Sequence, residues 1–254
     1  MDSTEVKNGK CALKFKTLTK QLFRQIGIEV DRFKPEYSNE NRLKKIIEEK
    51  KIDLVIDVGA NDGGYARSLI SSGWDGPILS FEPVAVAYAS LLKNAAGSKN
   101  WHIGPRIAIG ETNGMTEINV SGNLVSSSIF SVKKNHIDAA PDSAVVKKEK
   151  ISIQRLGEIN HELIINSERI FLKIDTQGYE IPVLNGCANL MPKIYGIQVE
   201  MSLVELYEGQ ALYNEVWELI TNNGFSLWNI IPGFTDKKSG RLLQFDGVFI
   251  KNPE

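Results

Sequence analysis

One segment, Leu54-Val55-Ile56-Asp57-Val58-Gly59-Ala60-Asn61-Asp62-Gly63-Gly64, limits the possible folds of this chain more than any other. Apolar and β-branched residues lead into an acid, then a glycine-rich turn, and helix-compatible residues follow from Tyr65. That order marks a buried parallel strand ending at a nucleotide-binding turn. Gly59 permits a sharp backbone turn, and Gly63 and Gly64 let a ligand approach the backbone closely. Further on, a second apolar run, Ile78-Leu79-Ser80-Phe81, ends in Glu82-Pro83. An acid there can accept hydrogen bonds from both hydroxyls of a ribose. The two runs together point to an adenosine-containing cofactor.

The rest of the chain continues the alternation. Strands are predicted at 53–58, 78–82 and roughly 101–109, separated by helices near 64–72 and 84–96. Asn113-Gly114 predicts a hairpin joining Ile107-Ala108-Ile109 to Thr116-Glu117-Ile118-Asn119-Val120. Residues 121–150, with Ser126, Ser127, Ser128 and the lysines 147, 148 and 150, read as an irregular insertion, either a lid, an acceptor loop or disorder. Regular patterning resumes with Ile170-Phe171-Leu172-Lys173-Ile174-Asp175, a helix near 179–190 and a strand at 194–200 ending in Glu200. A helix near 212–223 stops at Gly224. The last two strands, about 225–231 and 242–250, lie too close in sequence for a helical crossover and should pair antiparallel.

The amino-terminal part differs in character. Residues 1–51 hold thirteen Lys and Arg against eight Asp and Glu, whereas the remainder holds seventeen against twenty-three. The division is therefore a basic helical extension over 1–51 and a ligand-binding domain over 52–254. Residues 1–12 are expected to be disordered. Phe15, Leu18, Leu22 and Ile26 then recur at helical spacing among Lys14, Lys16, Lys20 and Arg24. Such a helix can pack on the domain, join a second subunit in a homo-oligomer, or lie on an anionic membrane surface as a peripheral contact. A second helix near 39–50 turns Leu43, Ile46 and Ile47 to one side. The acidic body argues against nucleic acid as partner. Cys11 and Cys187 have no metal or redox spacing, and Cys187 reads as a buried, inert thiol. No apolar run reaches the length of a membrane span, and no signal peptide is legible, so a cytoplasmic protein is expected.

A parallel α/β sheet closed by an antiparallel hairpin is the layout of class I methyltransferases, which use S-adenosylmethionine. The residues carry a closer resemblance. Asp57-Val58-Gly59-Ala60-Asn61-Asp62-Gly63, Phe81-Glu82-Pro83 and Leu172-Lys173-Ile174-Asp175-Thr176-Gln177-Gly178-Tyr179-Glu180 resemble the three signatures of FkbM-type methyltransferases. Val183-Leu184-Asn185-Gly186-Cys187 and Gln198-Val199-Glu200 resemble the stretches that follow them, so the similarity spans about 52–250. The resemblance implies a Rossmann-like seven-stranded sheet and transfer of a methyl group to oxygen, on a sugar, glycolipid or polyketide-like hydroxyl. Asp62 departs from it, standing where the family commonly has an apolar residue.

Under that reading the cofactor-binding candidates are Asp57, Gly59, Asn61, Gly63, Glu82 and Ala108. Asp57 orients the methionine amino group or only steadies the turn amides. Asn61 bonds the carboxylate end or holds the loop. Glu82 takes the ribose or caps the next helix, and Ile107-Ala108 borders the adenine. Asp62 favours a sulfonium cation or caps a helix. The catalytic candidates are Asp175 and Glu200, at neighbouring strand ends, and Lys173, which alternation puts on the same side as Asp175. The two carboxylates can ligate Mg²⁺ or supply a general base. Lys173 acts on its own or merely pairs with Asp175. Glu180 takes part in the site or only complements a helix dipole. His136 is a candidate base borne on a lid, although an exposed loop histidine is the plainer reading. Two other functions stay open, a non-catalytic S-adenosylmethionine-binding or interaction module and a nicotinamide-dependent oxidoreductase. The second calls for a G-x-G-x-x-G turn, which Gly59, Gly63 and Gly64 do not form.

Overall fold

The computed structural model describes residues 20–30 and 38–253. Five strands run parallel: β1 (Leu54–Val58), β2 (Ile78–Phe81) and β3 (Trp101–Ile103), and, after two further hydrogen-bonded segments, the later pair at Ile170–Ile174 and Ile194–Ser202. The intervening strands β4 (Ala108–Ile109), β5 (Gly114–Ser121) and β6 (Val145–Gln154) form a separate small sheet. The later pair is therefore β7 and β8, followed by β9 (Phe225–Pro232) and β10 (Gln244–Lys251). The main sheet has the order β3-β2-β1-β7-β8-β10-β9, and β10 runs against both its neighbours. The expected antiparallel hairpin is present.

All five residues of β1 are buried because both faces of the sheet are covered. Leu54, Ile56 and Val58 share one face with Leu172, Ile174, Ile197 and Val199. Two helices cover that face, α6 (Glu180–Gly186) through Val183 and Leu184 and α7 (Tyr213–Asn222) through Val216 and Ile220. Val55, Ile78 and Phe171 face the other way. They meet α1 (Asn39–Glu49), α2 (Gly64–Ser71) and α3 (Ala85–Ala95), which contribute Leu43, Ile46, Ile47, Ala66, Leu69, Leu91 and Ala95. Each fully buried Leu, Ile or Phe contributes about 1.5–3 kcal/mol. The helix predicted near 39–50 is α1, capped by Ser38, whose hydroxyl accepts from Asn41 N at 3.2 Å.

Several expectations are corrected. The strand predicted across 101–109 is two, because the chain leaves β3 at Gly104, where a Cβ would run into the Phe81 ring. Asn113-Gly114 does not close a hairpin: β6 lies between β4 and β5, parallel to the first and antiparallel to the second. Burial decides this, since Ile151 and Ile153 of β6 complete one apolar cluster with Ala108, Ile118 and Val120. Residues 145–150 of the supposed irregular insertion are therefore strand, and Lys134–Ala139 forms the short helix α4. The helix predicted over 179–190 stops at Gly186, and Ala188–Lys193 continues as a 3₁₀ segment containing Pro192. Helix α5 (Glu162–Asn166) was not foreseen. Residues 1–12, and Phe15 and Leu18 of the basic helix, lie outside the described residues. Residues 20–25 are helical, with Leu22 60% and Ile26 69% exposed, so those two positions do not pack on the domain. No helix among the described residues is long and apolar enough to cross a membrane.

Candidate functional site

The strand order reverses between β1 and β7, which opens a crevice at their carboxyl ends. Gly59, φ +79°, makes the turn there, and a Cβ at this position would overlap the Asp175 carbonyl oxygen. Gly63, φ +87°, caps α2, and its missing side chain leaves room for the Trp101 ring. Between them Asn61 adopts φ +49° and donates its backbone N–H to Glu82 Oε2 at 2.8 Å. Val84 N–H donates to Glu82 Oε1 at 2.7 Å. The capping role and a ligand-holding role thus coexist on Glu82, because each carboxylate oxygen keeps a further lone pair. Burial pushes Glu82 up to about 7 despite those two opposing bonds. Asp62 does not cap α2 but stands one residue before its cap, accepting from Gly64 N at 3.1 Å and pairing with Arg67 at 2.9 Å.

A cavity of about 320 Å³ runs from this turn across the strand ends. Its wall over Glu82 is apolar, from Phe81, Val84, Ile107, Ala108, Ile109 and Ile118. Ala108 belongs to β4 of the small sheet rather than to the end of β3, yet it borders the cavity as expected. An adenine ring suits these apolar residues, and a ribose suits the Glu82 carboxylate. The Asp175 carboxyl can accept an ammonium, and Asn61 lines the wall between them. The residues present therefore fit S-adenosylmethionine. Asp57 is not among the lining residues. It lies beneath the turn, accepts from Ser80 Oγ at 3.3 Å, and is pushed up to about 6 by burial, against the opposing charge of Lys173.

At the far end the lining is polar. Gln177 Nε2 donates to Asp175 Oδ1 at 2.8 Å and to Glu200 Oε2 at 2.6 Å, so one amide bridges the two candidate carboxylates. Gln244 Nε2 adds a bond of 2.7 Å to Glu200. Tyr207 is buried and donates its hydroxyl to Gln177 Oε1 at 2.8 Å, which fixes the orientation of that amide. Gln177 holds φ +55°, a backbone conformation that costs energy in a residue other than glycine and concentrates at functional sites. Sequence reasoning missed Gln177, Tyr207 and Gln244. Only Gln177 had a signal, its place directly after the β7 carboxylate and before Gly178.

Lys173 is buried and absent from the cavity wall; its Nζ pairs with Asp175 Oδ2 at 3.2 Å. Burial disfavours its charge, but the neighbouring carboxylates Asp175, Asp246, Glu200 and Asp57 outweigh burial and hold the ammonium above the usual lysine value. Glu200 is raised well above the usual carboxylate value by desolvation and by the Asp175 and Asp246 charges. Mg²⁺ does not fit this arrangement. The Gln177 amide lies between the two carboxylates, Asp175 already has an ammonium partner, and no group of three or more His, Cys, Asp or Glu among the described residues could hold a metal ion. Glu180 is buried outside the wall, where Oε1 accepts from Thr176 N and Gly178 N, and burial pushes it up to about 7. Cys187 is buried and its thiol is pushed up to about 12, as an inert cysteine should be. His136 is no exposed loop histidine: it is 3% exposed and lines the cavity. The insertion folds back over the strand ends, which its polarity alone does not disclose.

The profile of the methyltransferase FkbM domain matches residues 57–227, more than half of the chain. The chain is 25% identical over 178 residues to the 2-O-methyltransferase NoeI of Sinorhizobium fredii (strain NBRC 101917 / NGR234), covering 68% of this chain and 72% of that protein. Among solved structures it is similar to the magnesium protoporphyrin IX methyltransferase ChlM of Synechocystis PCC 6803, at 9% identity and TM-score 0.45, covering 93% and 97% of the two chains. A ribosomal protein L11 methylase from Lactobacillus delbrueckii subsp. bulgaricus matches at 12% identity and TM-score 0.43, covering 85% and 81%.

Proposed function

The chain belongs to the FkbM-domain methyltransferases, and we propose that it moves the methyl group of S-adenosylmethionine to a hydroxyl oxygen of a small, sugar-like acceptor. One observation carries the reading. A single cavity joins the Gly59–Asn61–Glu82 end, suited to an adenosine, to a polar end made by Asp175, Gln177, Glu200 and Gln244. When bound, S-adenosylmethionine supplies a methyl group already activated on a sulfonium. The protein's own work is then positioning, which can lower a bimolecular barrier by about 7–11 kcal/mol. Glu82 holds the ribose, the apolar residues around Ala108 hold the ring, and the acids along the wall favour the cation. The amide and carboxyl groups of Gln177, Glu200 and Gln244 are planar donors and acceptors of the kind that orient a polyhydroxylated ring. The 2-O-methyltransferase relative supports oxygen as the atom methylated.

We assign acceptor selection to residues 121–150, because Asn123 to Ser127, Ile129, His136 and Ala140 form one side of the cavity. The test is calorimetric titration of the purified chain with S-adenosylmethionine, S-adenosylhomocysteine and NAD⁺. Transfer from methyl-labelled S-adenosylmethionine to methyl β-D-glucopyranoside and its stereoisomers follows. Binding of the first two ligands with labelled ether product supports the reading. Binding of NAD⁺ alone refutes it.

A further inference from the structure

If the reaction is methyl transfer to a hydroxyl, as proposed above, a proton must leave the acceptor oxygen, and the candidates are few. Among the described residues the titratable side chains lining the cavity are Glu82, His136, Asp175, Tyr179 and Glu200. Glu82 stands at the adenosine end and accepts two backbone N–H bonds. Glu200 Oε2 already accepts from both the Gln177 and the Gln244 amides. Asp175 is already engaged on both oxygens, Oδ2 by the Lys173 ammonium at 3.2 Å and Oδ1 by the Gln177 amide at 2.8 Å. The Tyr179 phenol is raised by burial and then by Glu111, so it holds its proton.

His136 is different. Its Nδ1 is buried and has no hydrogen-bond partner among the described residues, while its ring lines the cavity. Its ring contacts are aromatic, edge-on to Tyr207 at 5.1 Å and tilted against Phe234 at 5.3 Å. Burial lowers its pKa to about 4, which keeps the imidazole neutral near pH 7. A buried polar atom without a partner costs about 1–3 kcal/mol and calls for an explanation. The helix that carries it is pinned in place. Lys133 N bonds Leu206 O at 2.8 Å, Lys133 Nζ pairs with Glu205 at 2.7 Å, and Asn135 Nδ2 bonds Glu205 O at 2.9 Å. The imidazole thus rests on Tyr207, whose hydroxyl reaches Gln177 and, through it, both carboxylates.

We propose that His136 is the general base that receives the acceptor's hydroxyl proton. As the acceptor oxygen bonds to the methyl carbon, the carbon–sulfur bond breaks with its electron pair left on sulfur, and the hydroxyl proton passes to a ring nitrogen of His136. The imidazolium then releases the proton to water.

The test uses the full chain and its His136→Phe and His136→Gln variants. Phenylalanine keeps the ring packing between Tyr207 and Phe234 if glutamine disturbs it. S-adenosylhomocysteine binding should stay within about twofold in both, since its contacts lie at the other end. With a methyl glucopyranoside stereoisomer that the wild type methylates, kcat should fall by about a hundredfold or more with KM little changed. A separate readout is the ring ¹⁵N spectrum of histidine-labelled protein, in which the variants identify the His136 signal. At pH 7 it should be that of a neutral imidazole and should shift when the glucopyranoside panel is added to the S-adenosylhomocysteine complex. A variant that keeps about a tenth of the wild-type kcat overturns the proposal while leaving the methyltransferase reading intact. An imidazolium signal at pH 7, or a ring unmoved by the whole panel, overturns it even if no turnover is found. Failure of the wild type to bind either adenosyl ligand overturns the underlying reading instead.

Discussion

Replacing Glu82 with glutamine should separate cofactor binding from folding. In the wild type the two carboxylate oxygens accept N–H bonds at 2.7 Å from Val84 and 2.8 Å from Asn61. Glutamine keeps one oxygen; its amide nitrogen would meet the other N–H donor against donor. A hydrogen bond to a charged group contributes about 1.5–3 kcal/mol. Losing one such bond to the backbone destabilises the ligand-free variant by that amount. The same change removes a buried charge. A carboxyl held at about 7 against an ordinary 4.5 contributes stability that is fully present below 4.5 and lost as pH rises through 7. At pH 8 that loss is about 3 kcal/mol, which the variant escapes. The two effects nearly cancel, so urea unfolding at pH 8 should place the variant within about 1 kcal/mol of wild type. Binding has no such compensation. A ribose hydroxyl loses a charged acceptor, and S-adenosylhomocysteine affinity should fall by about 10- to 100-fold. Hydroxyl donors need the ionised acid, so wild-type binding below pH 7 must expel a proton and weaken by up to about tenfold per pH unit. Calorimetry at pH 6, 7 and 8, in buffers of different ionisation enthalpy, reads both the affinity and the released proton. A variant that binds like wild type, or a proton release unchanged by the substitution, would refute the assignment of Glu82 to the ribose.

Two further substitutions test the frame around the site. Glu180→Gln retains an oxygen for Thr176 N and Gly178 N and removes a carboxyl pushed up to about 7. It should therefore be the more stable protein at pH 8 but not at pH 4, by up to about 3 kcal/mol in urea midpoints converted to free energy, and equal pH slopes would count against the buried charge. Gly59→Ala places a Cβ on the Asp175 carbonyl oxygen at φ +79°. It should cost about 2 kcal/mol or more and abolish adenosyl-ligand binding, whereas an unchanged thermal midpoint would mean that β1 and β7 are not so tightly apposed.

How much of this protein was legible in its residues depends on the range of the forces involved. The strand–turn–helix over Leu54–Gly64 and the acid at Glu82 were readable because burial, turn geometry and helix starts are set by near neighbours in sequence. The parallel core and the antiparallel β9–β10 pair followed from the lengths of the connections. The strand at β6 was not readable. Its outer half is lysine-rich and exposed, and only Ile151 and Ile153, closing over Ala108 and Val120, give it a reason to separate β4 from β5. Local turn chemistry at Asn113-Gly114 lost to that burial.

The site divides in the same way. The residues proposed for the cofactor half, Gly59, Asn61 and Glu82, were legible because they lie in two short segments at the ends of adjacent strands, whereas Gly63 stands outside the cavity wall against Trp101. Asp175 and Glu200 were visible as strand ends, but their state was not. Lys173 behind one, Gln177 between them and Asp246 near the other come together only when three strands, β7, β8 and β10, are in register. His136 was placed by tertiary structure alone: a polar loop residue becomes buried once α4 is tied to Glu205 and Leu206, far along the chain. Electrostatics and desolvation depend on distance in space, and no local pattern in a sequence reports that distance.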